Sequence, residues 1–196
     1  LVVGPLIAGA IGAWKLVTPL GSPRAAIAAA TAYACNPVPL AIISAGRWPT
    51  LVVWGAAPFL VASALRLQGA KPFVSAHPLS IRLLRFGLLV AAVATFAPMV
   101  MVLALVVLAS LALASIVIAR PGGLRPLAMG APVAVLVPAA LHLPFSWQII
   151  KGGSWEWLFG PASANASFDS MADLLRFAPG LEGPGVLIVG LLVLAF

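Results

Sequence analysis

The chain has 196 residues, of which 63% are hydrophobic and only 8% are charged, and its formal net charge is +7. Roughly a quarter of the residues in a soluble domain are charged, so this composition excludes an ordinary soluble domain and indicates a chain surrounded by lipid. The basic residues are scattered between apolar runs rather than lined along one face, so we expect membrane lipid and no nucleic acid as a partner.

The apolar runs predict an all-α fold, a polytopic transmembrane helical bundle of about seven spans, at about 20 residues for each crossing. Both ends of the sequence lie inside apolar runs. We therefore expect residues 1–196 to form a single transmembrane module, an internal fragment of a longer protein in which the first and last spans are truncated. The single cysteine, Cys35, offers neither a disulfide partner nor a metal-ligand spacing.

In chain order, the first three spans are predicted at 1–14, 25–45 and 48–65, with a break in the second near 36–39. The next apolar stretch, 83–119, contains Pro98 near its middle, and proline removes a helical hydrogen bond. Two short spans that meet in a turn at 95–98 are favoured, and one kinked helix stays open. A sixth span is predicted at 127–148, and a seventh begins at Pro184.

The seven-span arrangement separates the charged residues. One side receives most of the basic residues: Lys15, Arg24, Arg66, Lys71, Arg82, Arg85, Arg120 and Arg125. The other side receives the remaining basic residues and all the acidic ones: Arg47, Lys151, Arg176, Glu156, Asp169, Asp173 and Glu182. Lys and Arg in short loops mark the cytoplasmic side. Loops 15–24, 66–85 and 120–125 are therefore predicted to be cytoplasmic and loop 151–183 extracytoplasmic.

The extracytoplasmic loop 151–183 contains most of the polar candidates. Trp155 and Glu156 lie near its start, where a tryptophan serves either as part of an aromatic belt at the membrane surface or as a platform for a sugar ring. Asp169 and Asp173 share one face of a short amphipathic helix that the pattern allows. They either cap and solvate that helix or bind a divalent cation together with substrate phosphates.

Three further candidates lie at the ends of predicted spans. Arg47, followed by Trp48, either pairs with a lipid or substrate phosphate or extends to the head groups. His142 lies near the end of the sixth span and is either a functional intramembrane group or a side chain that reaches water. The sequence shows no phosphate-binding glycine loop, nucleophile elbow or paired histidine ligands. It identifies no metal site and no catalytic residue.

The order of short motifs resembles the membrane region of large actinobacterial cell-envelope glycosyltransferases. Residues 32–37 read AYACNP, residues 45–48 read AGRW, and residues 56–60 read AAPFL. These motifs resemble those of family-2 glycosyltransferases fused to many spans and of arabinofuranosyltransferase-like proteins of the lipid-linked-sugar class (GT-C). The turn TFAP at 95–98 is similar to their short outer hairpin. The composition, with eight Arg and three Lys, is typical of a GC-rich bacterium.

The resemblance implies a transferase that takes its donor from a polyprenyl-phosphate sugar and extends a polysaccharide of the cell envelope. It implies catalytic residues outside this fragment: the catalytic acid of the lipid-linked-sugar class would precede Leu1, and a fused family-2 catalytic domain would also lie outside. We expect no cofactor in this fragment, and a divalent cation is a candidate cofactor of the full-length protein. Transporter or flippase segments, and a non-catalytic scaffold subunit, remain open as alternatives. The predicted substrate-binding residues are Arg47, Trp48, His142, Trp155, Glu156, Asp169 and Asp173.

Overall fold

The computed structural model describes residues 3–44, 46–118 and 121–143, together with residues 147 and 151. Over these ranges the chain is helical and contains no strand. The helices are α1 (Val3–Val17), α2 (Pro23–Ala34), α3 (Val38–Ser44), α4 (Trp48–Gln68), α5 (Leu79–Ala94), α6 (Val100–Val117) and α7 (Leu124–Leu141), with a short 3-10 helix at Pro121–Gly123 before α7.

Among the described residues, four helical segments are long and apolar enough to cross a membrane: Pro23–Ser44, which joins α2 and α3, then α4, α6 and α7. Helix α1 is apolar but has only 15 residues. These segments are compatible with the predicted polytopic helical bundle in a membrane. The span predicted from Pro184 lies outside the described residues, so the count of seven stays a prediction.

Two predicted interruptions are confirmed. The second span breaks between α2 and α3, where the Asn36 side-chain oxygen accepts the backbone N–H of Val38 at 2.9 Å. The apolar stretch 83–119 forms two helices, α5 and α6, rather than one kinked helix. In the turn between them, the N–H of Phe96 donates to the carbonyl of Val93 at 3.0 Å.

The predicted loop boundaries need correction, because several basic residues lie on helices. Helix α4 continues to Gln68 and α5 begins at Leu79, so the connection spans only 69–78 and not 66–85. Arg66, Arg82 and Arg85 are therefore helical. Similarly, α1 extends beyond Lys15 to Val17, α2 begins before Arg24, and α7 begins at Leu124, one residue before Arg125. A long basic side chain can reach the surface from the first or the last turns of a helix, so it does not mark the boundary of that helix.

The main core lies between α4, α5, α6 and α7. Its most deeply buried large side chains are Leu60, Leu67, Phe86, Val90, Val100 and Leu127. These apolar side chains come from all four helices, so the core fixes their relative positions.

Helix α1 lies against α4 in the same direction, and the contact is close because both helices carry glycine there. A Cβ atom placed on Gly55 would lie 2.5 Å from the carbonyl oxygen of Pro5. One placed on Gly12 would lie 2.8 Å from the Phe59 ring. Because membrane helices associate through van der Waals packing, such close backbone approach is an effective means of holding them together.

Helix α4 continues without a break through Pro58, although proline leaves the carbonyl four residues earlier without its helical donor. That carbonyl belongs to Trp54. The hydroxyl of Tyr33, on α2, donates to it at 2.5 Å, and the Tyr33 and Trp54 rings stack with their centroids 4.6 Å apart. A side chain of a neighbouring helix thus replaces the missing backbone donor.

The helix directions place the two groups of connections at opposite ends of the bundle. One end, which we name the basic end, carries Lys15, Arg24, Arg66, Lys71, Arg82, Arg85 and Arg125. There the guanidinium Nη1 of Arg82 donates to the carbonyl of Arg66 at 2.7 Å and so caps the last turn of α4. The opposite end, which we name the aromatic end, carries Arg47, Trp48, Thr95, Phe96 and His142.

Candidate functional site

At the aromatic end, a tight turn presents Arg47 at the start of α4. Helix α3 ends at Ser44, and Gly46 then adopts φ 66°, a left-handed conformation that favours glycine. The N–H of Arg47 donates to the carbonyl of Ile42 at 3.0 Å, which fixes the backbone at this position. The Arg47 side chain does not cap the helix and is exposed. Its guanidinium is therefore accessible to a ligand.

Beside Arg47, Trp48 forms an aromatic pair with Phe96. The two rings meet edge to face, with centroids 6.2 Å apart and planes at 74°. Trp48 is 54% exposed and Phe96 is 50% exposed. The pair joins the start of α4 to the turn between α5 and α6 and leaves about half of each side chain free for contact with a ligand or lipid.

His142 connects the end of α7 to the same turn. Its Nδ1 lies 2.9 Å from the carbonyl oxygen of Pro138, and its Nε2 lies 3.0 Å from the hydroxyl oxygen of Thr95. Because a carbonyl only accepts, Nδ1 carries a proton, and in the neutral ring Nε2 accepts the Thr95 hydroxyl proton. Both ring nitrogens are thus engaged within the protein, so His142 supports the turn that carries Phe96.

The Thr95 hydroxyl has a choice of acceptors. Its oxygen lies 3.1 Å from the carbonyl of Ala91 as well as 3.0 Å from His142 Nε2. With one proton, the hydroxyl can donate to only one of them at a time. The Ala91 carbonyl and His142 Nε2 therefore compete for this one proton.

The structure brings three of the predicted site residues, Arg47, Trp48 and His142, to one end of the bundle. Sequence reasoning did not select Thr95 and Phe96 as site residues, although it placed a turn there. The sequence feature that could have identified them is a polar residue next to an aromatic residue, at the tip of a turn between two apolar helices. The other candidates, Trp155, Glu156, Asp169 and Asp173, lie outside the described residues, as does the proposed amphipathic helix.

The described part of the chain contains no set of metal ligands, because no three or more His, Cys, Asp or Glu residues lie close together there. All four acidic residues of the sequence fall between 156 and 182, beyond that part. The expected divalent cation in the full-length protein therefore stays a prediction.

The arrangement at the aromatic end can bind a ligand that has both an anionic and a ring-shaped apolar part. A guanidinium forms charge-assisted, bidentate hydrogen bonds to a phosphate, and exposed aromatic faces contact sugar rings or lipid. Just beyond α7, the ammonium of Lys151 lies 5.1 Å from the centroid of the Trp147 ring, a cation–π contact. The described residues thus offer binding groups at this end.

The chain matches no model of a known protein family, no curated protein sequence and no solved structure.

Proposed function

We propose that this chain is the membrane region of a glycosyltransferase that uses a polyprenyl-phosphate-linked sugar in the assembly of a bacterial cell-envelope polysaccharide. The observation that supports this most is the exposed Arg47 next to the Trp48–Phe96 pair, at one end of an apolar helical bundle. The donor has three parts of matching chemistry, namely a phosphate, a sugar and a long hydrocarbon chain. The motif that carries the family resemblance, AGRW at 45–48, includes two of these residues.

In this proposal, the described residues bind and orient the donor. Arg47 holds the phosphate, Trp48 and Phe96 contact the sugar, and the polyprenyl chain lies along the apolar helices. The predicted loop 151–183 covers the polysaccharide acceptor. The bond-making groups lie elsewhere in the protein. Holding two reactants in the right geometry can contribute a large part of the lowering of a reaction barrier.

We also propose the orientation of the chain. The bundle is a multi-pass module of about seven spans in the bacterial plasma membrane, with the basic end in the cytoplasm. Seven of the eleven basic residues lie at that end of the described structure. By the positive-inside rule this supports an orientation with Arg47 and Trp48 on the outer face, where envelope polysaccharides are extended, and loop 151–183 is predicted on the same side.

A transporter or flippase segment is less well supported, because unwound backbone lines the cavity of many transporters. Here α4 stays helical through Pro58, and Tyr33 satisfies the carbonyl of Trp54 that the proline leaves free. Helix α7 likewise continues through Pro132 and Pro138. These three prolines open no gap in a helix, which favours the transferase, whereas the break between α2 and α3, at Asn36 and Pro37, keeps the transporter as the second candidate.

The test measures sugar transfer in membranes that contain the full-length protein, with a panel of polyprenyl-phosphate sugars as donors. For Arg47→Ala we expect kcat/KM to fall about tenfold to a hundredfold, the effect of losing a charge-assisted hydrogen bond. Arg47→Lys should retain part of the activity because it keeps the charge without the planar fork. Arg125→Ala, another exposed arginine at the opposite end, is the matched control and should leave kcat/KM unchanged.

Two other results would contradict the proposal. If Arg47→Ala, Trp48→Ala, Glu156→Ala and Asp169→Ala all insert normally and transfer at the wild-type rate, the chain acts as a scaffold. If the wild-type protein transfers no sugar from any donor, the transporter becomes the better explanation. Insertion is checked for each variant by the accessibility of engineered cysteines on the two faces of the membrane.

A further inference from the structure

A cleft of about 690 Å³ lies at the basic end, between the C-terminal ends of α4 and α6. Its volume is within the range of sites that bind small molecules, which is roughly 300 to 1,000 Å³. Gln68 and Lys71 line it on the α4 side, and Leu111, Ala114, Ser115 and Ile118 line it on the α6 side. It is distinct from the candidate site at the aromatic end.

The inner part of the cleft is polar. The Gln68 amide donates to the hydroxyl of Ser115 at 2.6 Å, and Ser115 in turn donates to the carbonyl of Leu111 at 2.8 Å. Ser115 is 2% exposed, so this hydrogen-bonded pair links α4 to α6 inside an apolar bundle. The side chain of Lys71 is exposed at the rim. The cleft therefore offers a cation and polar groups to the same ligand.

The outer part of the cleft is apolar and continues onto the surface of α6. Ala114 is exposed, and Ile118 is 64% exposed. Beside them, Leu113, Ile116 and Val117 are also more than half exposed. A ligand whose polar group occupies the cleft can thus extend a hydrocarbon chain along this face without leaving an apolar surface.

The charge at this end favours an anion. Arg66, Lys71, Arg82, Arg85 and Arg125 lie around the ends of α4, α5 and α7, and the described part of the chain contains no acidic residue. The C-terminal end of α4 would oppose an anion through its helix dipole. Arg82 offsets that effect, because its Nη1 donates to the carbonyl of Arg66 at 2.7 Å.

We propose that this cleft binds the head group of an anionic glycerophospholipid from the membrane leaflet at the basic end. The lipid phosphate pairs with Lys71, the head-group hydroxyls reach toward the Gln68–Ser115 pair, and one acyl chain follows the exposed face of α6. Basic pockets between membrane helices are suited to such head groups. This site would act in addition to the proposed donor site and does not depend on it.

The test titrates the purified full-length protein in detergent and measures bound lipid by native mass spectrometry. Dioleoyl phosphatidylglycerol is the probe, dioleoyl phosphatidylcholine has the same chains without net charge, and glycerol 3-phosphate has the phosphate without chains. We expect phosphatidylglycerol to bind more tightly than either of the others. Lys71→Ala should weaken its binding about fivefold, the effect of removing one basic residue near an anionic lipid.

Two further variants test whether the lipid binds in this cleft rather than elsewhere at the basic end. Ala114→Trp keeps every charge and fills the apolar side of the cleft, so it should weaken phosphatidylglycerol binding by at least as much as Lys71→Ala. Arg24→Ala removes an exposed basic residue from the same end but outside the cleft, and it should leave binding unchanged. If Ala114→Trp does not fold, the comparison of Lys71→Ala with Arg24→Ala decides the question.

Three outcomes would overturn the proposal. Equal binding of phosphatidylcholine would show that charge is not recognised. Equal binding of glycerol 3-phosphate would show a site for a free phosphate rather than for a lipid. Equal losses in Lys71→Ala and Arg24→Ala would show a diffuse attraction to the whole basic end. None of these measurements uses sugar transfer, so a failure here is separate from a failure of the proposed function.

Discussion

Helices α1 and α4 meet backbone to backbone at Gly55, whereas α5 and α7 meet through side chains at Gly87. At the first contact, a Cβ on Gly55 would lie 2.5 Å from the Pro5 carbonyl oxygen. At the second, a Cβ on Gly87 would lie 2.8 Å from Cγ1 of Val133, at the tip of a side chain. A side chain can adjust to an added methyl group, but a backbone can do so only if a whole helix moves. Glycine thus has a different structural role in the two contacts: Gly55 allows two backbones to approach, and Gly87 makes room for side chains.

The largest effect on stability is expected from Gly55→Ala. The added methyl group meets backbone atoms of Pro5, so α1 must separate from α4, and we expect a loss of about 3 kcal/mol in the free energy of unfolding. Gly4→Ala is the matched control, because a Cβ at Gly4 would face open space, with no atom within 4 Å beyond its own stretch of helix. Reversible unfolding in mixed detergent micelles measures both. Similar stabilities for the two variants would contradict the backbone contact.

A somewhat smaller loss is expected from Phe86→Ala, which tests the side-chain core. Phe86 is fully buried among α4–α7, and its removal leaves a cavity. In lipid the transfer part of the cost is small, so the cavity part should dominate, at about 2 kcal/mol. The same unfolding measurement applies. Phe96→Ala, at a side chain that is 50% exposed, should change stability much less.

Tyr33→Phe should cost about 1 kcal/mol, because it leaves the Trp54 carbonyl without a donor. The aromatic ring and its stacking on Trp54 are kept, so the change isolates the hydrogen bond. In a Pro58→Ala background, residue 58 regains its N–H and can donate to Trp54 itself. The cost of Tyr33→Phe should then nearly vanish, and a double-mutant cycle measures the difference. An equal cost in both backgrounds would reject this explanation.

The smallest effect is expected from Gly87→Ala, which sharpens the comparison between the two contacts. The added methyl group meets the side chains of Val133 and Val137, which can shift slightly. We expect a net loss of about 0.5 kcal/mol, because the higher helix propensity of alanine partly offsets an overpacking cost at the low end of its range. Unfolding of Gly87→Ala and Gly55→Ala under identical conditions provides the test. If Gly87→Ala is the more damaging change, the distinction between backbone and side-chain contacts fails.

Much of the helix order could be predicted from the sequence, because it depends on local signals. The break at 36–39 follows from proline and asparagine, and the turn at 95–98 follows from Pro98 within a stretch too long for one span. The predicted helix boundaries differ most from those of the structure near basic residues. The basic residues predict a loop at Arg82 and Arg85, yet both lie in the first turns of α5, where long side chains reach the surface.

The contacts between helices could not be predicted, because they join residues that are distant in the sequence. Nothing local indicates that Tyr33 donates to Trp54, or that Thr95 meets His142. The sequence did place Arg47, Trp48 and His142 as candidates at the ends of spans. Only the fold reveals that Phe96 pairs with Trp48 and that both nitrogens of His142 are engaged within the protein.

The hydrogen bond from Tyr33 to Trp54 also constrains how this protein can evolve. While Pro58 is present, loss of the Tyr33 hydroxyl is harmful, because α4 then has an unsatisfied carbonyl. A lineage that first replaces Pro58 with a residue that has an N–H becomes free to lose the tyrosine hydroxyl. The same two substitutions are therefore tolerated in one order and selected against in the other, so the route of change depends on history.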